Sequence, residues 1–297
     1  AGEGDVYFPA LSHRQVIRIY DLLDDLQPEV IHAHEPALLG LVGQIWARLH
    51  NVPFVYTAHV LPSKALSFGA ADIARIFRSP VTEAVARTIL QNFYRNCDAV
   101  VGLNSAAIAD IRRFGYRGRI LIIPNGRSLD RYTHCAVADI TSDKKELTYI
   151  GFISQRKNQG YLTNMLRELP DRYTLHLIGK SLDAQYERRL RDAIAGLRRD
   201  RVVFEGQIDH EDVPAYLERT HVFVSASLME IQSLVIIEAL ASGTPVVGLS
   251  NETIDELVDD RVGLRLPKDA SPLEFARAVE MVCSQSRTAY AEMCAEA

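Results

Sequence analysis

No apolar run in the 297-residue chain is long enough to cross a bilayer. The longest stretch free of Asp, Glu, Lys and Arg is the 15 residues 49–63, and it holds His50, Asn51, Pro53, His59 and Pro62. No basic start followed by an apolar core opens the sequence, so a secretory signal is not expected. The four cysteines, Cys97, Cys135, Cys283 and Cys294, contain no CxxC pair. That leaves zinc knuckles and thioredoxin-type sites unsupported and suits idle thiols in a reducing cytosol. Basic charge is not in excess: the net charge of −5 argues against nonspecific nucleic-acid binding by the whole chain. Neither GxGxxG nor GxxxxGK before Ser or Thr occurs, so a dinucleotide dehydrogenase and a P-loop NTPase both lack their phosphate loops. No two aspartates are separated by one residue, so a metal-binding DxD is missing too.

What is present is ordinary globular composition, 47% hydrophobic and 24% charged with 12 Pro and 17 Gly, which excludes disorder, collagen and low complexity. The charge is unevenly spread. Residues 1–63 carry three basic and seven acidic side chains, residues 64–131 eleven and five, and residues 132–297 nineteen and twenty-six. A basic segment inside an acidic protein calls for an explanation.

Short β-branched runs alternate with amphipathic stretches. Strands are expected at 30–32, 54–57, 99–103 and 120–123, then at 147–150, 174–178, 202–205, 222–225 and 246–248. Helical patterns lie between them at 37–49, 73–94, 106–113, 184–198 and 234–241. Such alternation predicts an α/β chain with parallel sheets, because parallel strands need crossover connections. Two series predict two doubly wound domains, 1–126 and 127–297, parting after the turn-forming Pro124-Asn125-Gly126. The polar stretch 139–146 reads as an exposed connector.

The most informative segment runs from Ser225 through Glu230, Ser233 and Glu238 to Gly243-Thr244-Pro245. A strand ends near Ser225, a polar loop follows, and a helix begins close to Ser233, a candidate N-cap. The free N–H groups and positive end of that helix would attract a phosphate. Glu238 would stand five residues into the helix, roughly 7–8 Å along its axis from the start. One carboxylate would then meet hydroxyls at one end of a diphosphate ligand and the other those at the far end, the layout of a nucleotide sugar. The plain alternative is two solvated acids at a helix start, where acids are favoured anyway. Ligands bind at the carboxyl edge of open parallel sheets, and Glu230 is expected there.

This segment resembles the E-x7-E signature of the retaining GT-B glycosyltransferases of family 4, continuing through Ala239, Gly243, Pro245 and Asn251-Glu-Thr-Ile-Asp-Glu256. Val30-Ile-His-Ala-His-Glu-Pro36 resembles a strand-end element of the family's first domain. Thr57-Ala-His59 resembles the strand end whose histidine approaches the donor sugar. Ile123-Pro-Asn-Gly126 resembles the passage to the second domain, and Gly151 to Asn158 the phosphate loop. The resemblance implies a GT-B fold, two Rossmann-like domains facing a cleft, and a retaining, metal-independent hexosyltransferase. It implies a UDP- or GDP-sugar donor as co-substrate, with no cofactor. Glu238 would bind the ribose, Glu230 the sugar hydroxyls, and Lys157 with the backbone around Ser233 the diphosphate. The donor site would also include Gly151, Arg156, Gly206, Ile208, Ile231, Gln232 and Leu234, the backbone after Gly206 meeting the base. His59, Glu230 and Lys157 are the residues expected to act on the reacting sugar.

Two departures stand out. Phe152 occupies the position where the family usually has an arginine, leaving Lys157 in place and Arg156 as a possible substitute. The family's opening strand and Gly-rich loop are not found before Asp5, nor is its final crossing helix, so a piece of a longer chain is expected.

His32 and His34 share one strand face, which suggests a metal, but no third ligand stands at useful spacing. His32 is expected to be structural, and His34, Glu35 and Lys64 to face the acceptor. A lone histidine such as His59 more often packs than reacts; the family match favours donor contact. Residues 64–95 interleave Lys64, Arg75, Arg78, Arg87 and Arg95 with apolar side chains, against only Asp72 and Glu83. They read either as a core-packing helix with a solvated basic face or as a peripheral membrane contact. Gln232-Ser233-Leu234 resembles the glycolipid-making branch of the family. The expected function is therefore transfer of a sugar to an acceptor hydroxyl, with a membrane lipid or a glycan as acceptor, in the cytoplasm or at the inner face of a membrane. A sugar-nucleotide epimerase or hydrolase on the same fold, and a noncatalytic nucleotide-sugar-binding subunit, stay as alternatives.

Overall fold

Every strand pairing among the described residues is parallel, and the ten strands form two separate sheets. The computed structural model describes residues 12–65, 80–132, 137–198 and 200–297, without the side chains of residues 64, 65 and 80–83. Two compact units, Ala1–Asn125 and Gly126–Ala297, each contain one sheet.

In the first unit the strands run in chain order, β1 (Ile31–Ala33), β2 (Phe54–Ala58), β3 (Ala99–Gly102) and β4 (Arg119–Ile122). Helices Leu38–Leu49, Pro80–Arg95 and Ser105–Phe114 provide the crossovers. Phe93 carries the packing, lying edge-on to Phe54 and Tyr56 with ring centres 5.8 and 5.1 Å away, an arrangement aromatic quadrupoles favour. The last of these helices starts where Asn104 Oδ1 accepts the Ala107 N–H (2.8 Å). It stops at Gly115, whose φ of 111° lies in the left-handed region. Helix His13–Leu26, absent from the sequence pattern, opens with a capping box between Ser12 and Gln15.

The second sheet contains β5 (Lys145–Ile150), β6 (Tyr173–Ile178), β7 (Val202–Gly206), β8 (Val222–Ser225), β9 (Val246–Leu249) and β10 (Gly263–Leu266). Its order is β10-β9-β8-β5-β6-β7. From β5 the chain steps outward through β6 and β7, then returns to β8 on the other side. The reversal between β5 and β8 opens a crevice at their carboxyl ends, where ligands of doubly wound sheets bind. Alternation along the strands separates two cores. Leu147, Tyr149, Leu175, Leu177, Val224 and Val247 face one side, Phe223 and Val246 the other.

Three sequence expectations are corrected, the first being the exposed connector over 139–146: Lys145 and Glu146 open β5, and Lys145 is buried. The helix expected over 184–198 ends at Ala193, because Ala195 and Leu197 bond to carbonyls three residues back and continue the apolar spacing as turns. Strand β10 was hidden because Arg265 interrupts its short apolar run; it is an edge strand whose one neighbour is β9. The basic segment lies outside the described residues from 66 to 79. Its later part forms helix Pro80–Arg95, which buries Leu90, Phe93 and Tyr94 while Val85 and Ile89 stay exposed.

Burial pushes the Cys97 and Cys283 thiols up to about 12 and Cys294 to about 11, so all three are inert at neutral pH. Cys135 lies outside the described residues. No helix among the described residues is long and apolar enough to cross a membrane.

Candidate active site

A cavity of ≈ 670 Å3 lies in the second unit, at the carboxyl ends of β5, β6 and β7 and the start of helix Leu234–Ala241. Its walls come from three strand-end loops that lie very close together. A Cβ on Gly179 would meet the carbonyl oxygen of Gly151 at 2.1 Å, so only glycine lets the loops after β5 and β6 approach this way. Gly151 and Gly179 also adopt positive φ, 150° and 139°. Gln159 fastens the first loop, its amide donating to the Phe152 carbonyl (2.8 Å) and accepting from the Ser154 N–H (3.3 Å).

Lys157 closes a short 3-10 turn, Gln155–Lys157, and Asn158 then reverses the chain with a left-handed φ of 57°. The Lys157 ammonium pairs with the Glu230 carboxylate, and both side chains are largely shielded from solvent. The loop carrying Glu230 is pinned on both sides. Asn158 donates to the Ala226 carbonyl (3.2 Å), and Leu228 N–H to the Arg156 carbonyl (3.0 Å). From the far side Asn251 donates to the Ser227 carbonyl (3.2 Å), and the Ser233 N–H donates to Thr253 Oγ1 (3.0 Å). The Asn251 segment thus holds the glutamate loop in place while capping its own helix, Glu252–Leu257. Ser233 stands at the N-cap position of helix Leu234–Ala241, but its side chain makes no capping hydrogen bond.

Glu238 is 3% exposed, and its carboxylate meets the guanidinium of Arg127 at 2.6 Å. His210 lies 3.8 Å from the same carboxylate oxygen and in hydrogen-bond contact with Arg127; its Nε2 is 3.0 Å from the Tyr132 hydroxyl. Burial first, then the charge of Glu238, pushes the Tyr132 hydroxyl up to about 12, so it stays protonated.

Of the residues expected at the donor, Gly151, Lys157, Ile208, Glu230, Gln232, Ser233, Leu234 and Glu238 line this one cavity. Arg156, Gly206 and Ile231 do not line it, although Gln207, next to Gly206, does. Phe152, 49% exposed, forms part of the wall. Arg127, Lys180 and His210 also line the cavity and were not singled out from sequence. Arg127 directly follows Pro124-Asn125-Gly126, and Lys180 follows the glycine that ends β6, so strand-end position was the available signal.

In the first unit three imidazoles gather at the carboxyl ends of β1 and β2. His34 Nδ1 lies 2.9 Å from His59 Nε2, within hydrogen-bond distance, and His32 Nε2 lies 2.8 Å from Thr57 Oγ1. The rings of His32 and His34 are 4.4 Å apart. Burial, followed by the neighbouring imidazoles, holds His59 below its ordinary value; burial and His34 do the same to His32. Glu35 caps a helix start, its two oxygens accepting from Ala37 N–H (2.6 Å) and Gly40 N–H (2.7 Å). What it can offer an acceptor is its outer lone pairs. Lys64 belongs to the short helix Pro62–Ala65, and its side chain lies outside the described residues. Among the described residues no group of three or more His, Cys, Asp or Glu side chains could hold a metal ion.

Two family profiles match the chain: Glycosyltransferase Family 4 over residues 5–131, and glycosyl transferases group 1 over residues 144–285. Alpha-monoglucosyldiacylglycerol synthase of Streptococcus pneumoniae is 23% identical over 265 residues, 84% of this chain and 58% of that protein. D-inositol 3-phosphate glycosyltransferase of Geodermatophilus obscurus is 28% identical over 278 residues, 86% of this chain and 60% of that protein. The chain therefore spans about 60% of the length of these relatives. Among solved structures, HepE of Anabaena in complex with UDP and glucose matches with a TM-score of 0.76 at 22% identity, over 95% of this chain and 75% of that one. Sucrose-phosphate synthase of Thermosynechococcus elongatus matches with a TM-score of 0.78 at 24% identity, over 97% of this chain and 73% of that one. The fold is that of the GT-B glycosyltransferases.

Proposed function

The chain belongs to the glycosyltransferases that join a Family 4 domain to a group 1 domain, and from that premise we propose that it moves a hexose from a nucleotide diphosphate sugar to an acceptor hydroxyl. One observation carries the reading. Two buried or half-buried glutamates, each held by a cation, flank the start of helix Leu234–Ala241 in a single cavity at the switch point of the second sheet.

In this reading Glu238 takes the ribose hydroxyls and Glu230 those of the sugar. Lys157 and the N–H groups at the helix start receive the diphosphate, which removes the need for a metal. His59 meets the donor sugar as positive charge develops at its anomeric carbon. The bond from that carbon to the diphosphate oxygen breaks and a bond to the acceptor oxygen forms on the same face. The hydroxyl proton passes to a phosphate oxygen, and the nucleoside diphosphate leaves. Retention follows from attack on the face that the leaving group vacates.

For the acceptor we favour a membrane lipid. Val85 and Ile89 remain exposed one helical turn apart on helix Pro80–Arg95, an apolar pair that suits a membrane surface on the cytoplasmic side. The chain's similarity to a glucosyldiacylglycerol synthase points the same way.

The test is a thermal-shift panel of UDP- and GDP-sugars with and without EDTA, on the longest available form of the chain. Stabilisation by one donor that survives EDTA and disappears in Glu238→Ala is expected. A folded protein that responds to no donor overturns the reading. Liposome co-sedimentation with and without anionic lipid tests the acceptor, and no binding to either vesicle removes the lipid proposal while leaving the donor site intact.

A further inference from the structure

Three permanent cations line the cavity: Arg127, Lys157 and Lys180. The first two already face carboxylates within it, Arg127 against Glu238 and Lys157 against Glu230. Lys180 has no carboxylate partner among the described residues, so its charge is the uncompensated one on the cavity wall. A nucleotide diphosphate sugar brings a doubly negative diphosphate to a wall whose other cations are partly neutralised.

The loop that would ordinarily answer this charge is deficient, since Phe152 stands where the family resemblance expects arginine. Arg156, the nearest alternative in sequence, does not line the cavity, and its carbonyl is bonded to Leu228. Lys180 instead sits on the neighbouring strand end, with its backbone locked to the Phe152 loop. The Ile153 N–H donates to the Lys180 carbonyl (3.0 Å) and the Gly151 N–H to that of Ile178 (2.9 Å), while Ile153 bridges to Ser181. The close approach that Gly179 permits brings the root of Lys180 beside the loop.

We propose that Lys180 supplies the donor's diphosphate with the positive charge missing at Phe152, the cationic position having moved one strand sideways from the end of β5 to the end of β6. The inference rests on the glycosyltransferase reading above and adds to it a diphosphate-binding residue.

The experiment is calorimetric titration of the wild type and of Lys180→Gln and Lys180→Arg with a nucleoside, its monophosphate and its diphosphate, using UDP and GDP series. Lys180→Gln should weaken diphosphate binding by about tenfold, leave the nucleoside within about twofold, and lessen the salt dependence of the diphosphate Kd. Lys180→Arg should retain most of the affinity. Unchanged diphosphate binding in Lys180→Gln overturns the inference, as does an equal loss for nucleoside and diphosphate, which would indicate a disturbed loop. If the wild type binds the diphosphate and only these variant results fail, the glycosyltransferase reading stands. If the folded wild type binds neither diphosphate, that reading falls and this inference falls with it.

Discussion

Arg127 and Glu238 form an ion pair, Nε to Oε1 2.6 Å, in which the carboxylate is almost wholly buried and the guanidinium about a quarter exposed. Removing one partner of such a pair strands the other charge, whereas replacing both is far less harmful. Arg127→Met should therefore destabilise the fold by about 2 kcal/mol, less than a fully buried pair because the arginine still touches water. Arg127→Met combined with Glu238→Leu should recover most of that loss in urea denaturation, yet bind no donor. Restored donor binding in the double variant would show that the pair serves stability alone.

Phe152 offers a gain rather than a loss. It is exposed on the cavity wall at the position of the absent arginine. Phe152→Arg should tighten nucleoside diphosphate binding by about three- to tenfold, the range of one solvated charge-assisted hydrogen bond. Nucleoside binding should not tighten. A uniform gain for nucleoside and diphosphate would mean that Phe152 had been obstructing the cavity, not that charge was lacking.

The parts of this architecture that were legible in the sequence are those written as period. β-Branched runs separated by amphipathic stretches gave nine of the ten strands, because a parallel strand buried on both faces leaves an apolar run with little interruption. β10 escaped because an edge strand tolerates Arg265 on its open side. The glutamate spacing and the helix start after Ser233 were also readable, since both are local. Arg127 and Lys180 were not. Arg127 meets Glu238 across 111 residues, and Lys180 reaches the cavity only because β6 lies next to β5 and Gly179 packs on Gly151. Sheet order, and not local pattern, decides which strand ends share a wall. Glu35 carries the opposite lesson: its place after an HxH element resembled a binding position, and its two oxygens cap the helix that starts three residues later.

His59 and His32 of the first unit should resist protonation. Burial and mutual repulsion hold His59 and His32 below 6.5, so the folded state binds fewer protons there than the unfolded chain does. Their contribution is complete above 6.5 and declines as pH falls from 6.5 through the folded values. NMR titration should find His59 titrating below its ordinary value, and turnover should fall along an acid limb that His34→Asn shifts upward by relieving His59 of a like charge. A His59 that titrates at or above its ordinary value would contradict this arrangement.

The second sheet contains a titrating element of opposite sign. His176 on β6 lies between two carboxylates, Nε2 to Glu146 Oε2 and Nδ1 to Glu205 Oε1, each 2.7 Å, spanning three adjacent strands. Burial opposes charge on this imidazole, but the two hydrogen bonds together outweigh it and raise His176 above 6.5. The hydrogen bond from His176 lowers Glu146 from its ordinary 4.5. The stabilisation carried by the imidazolium is therefore complete below 6.5 and is lost as pH rises through the folded value; that of Glu146 is complete above 4.5 and is lost as pH falls through its own. Urea unfolding should show wild-type stability declining as pH rises above 6.5 through the folded value of His176, and His176→Gln should abolish that slope while leaving donor binding intact. The neutral amide of glutamine replaces two charge-assisted hydrogen bonds with weaker ones, so the variant should also be less stable at the acid end of that range. A wild type whose stability stays level from pH 6 to pH 9 would mean that His176 is neutral between its two glutamates.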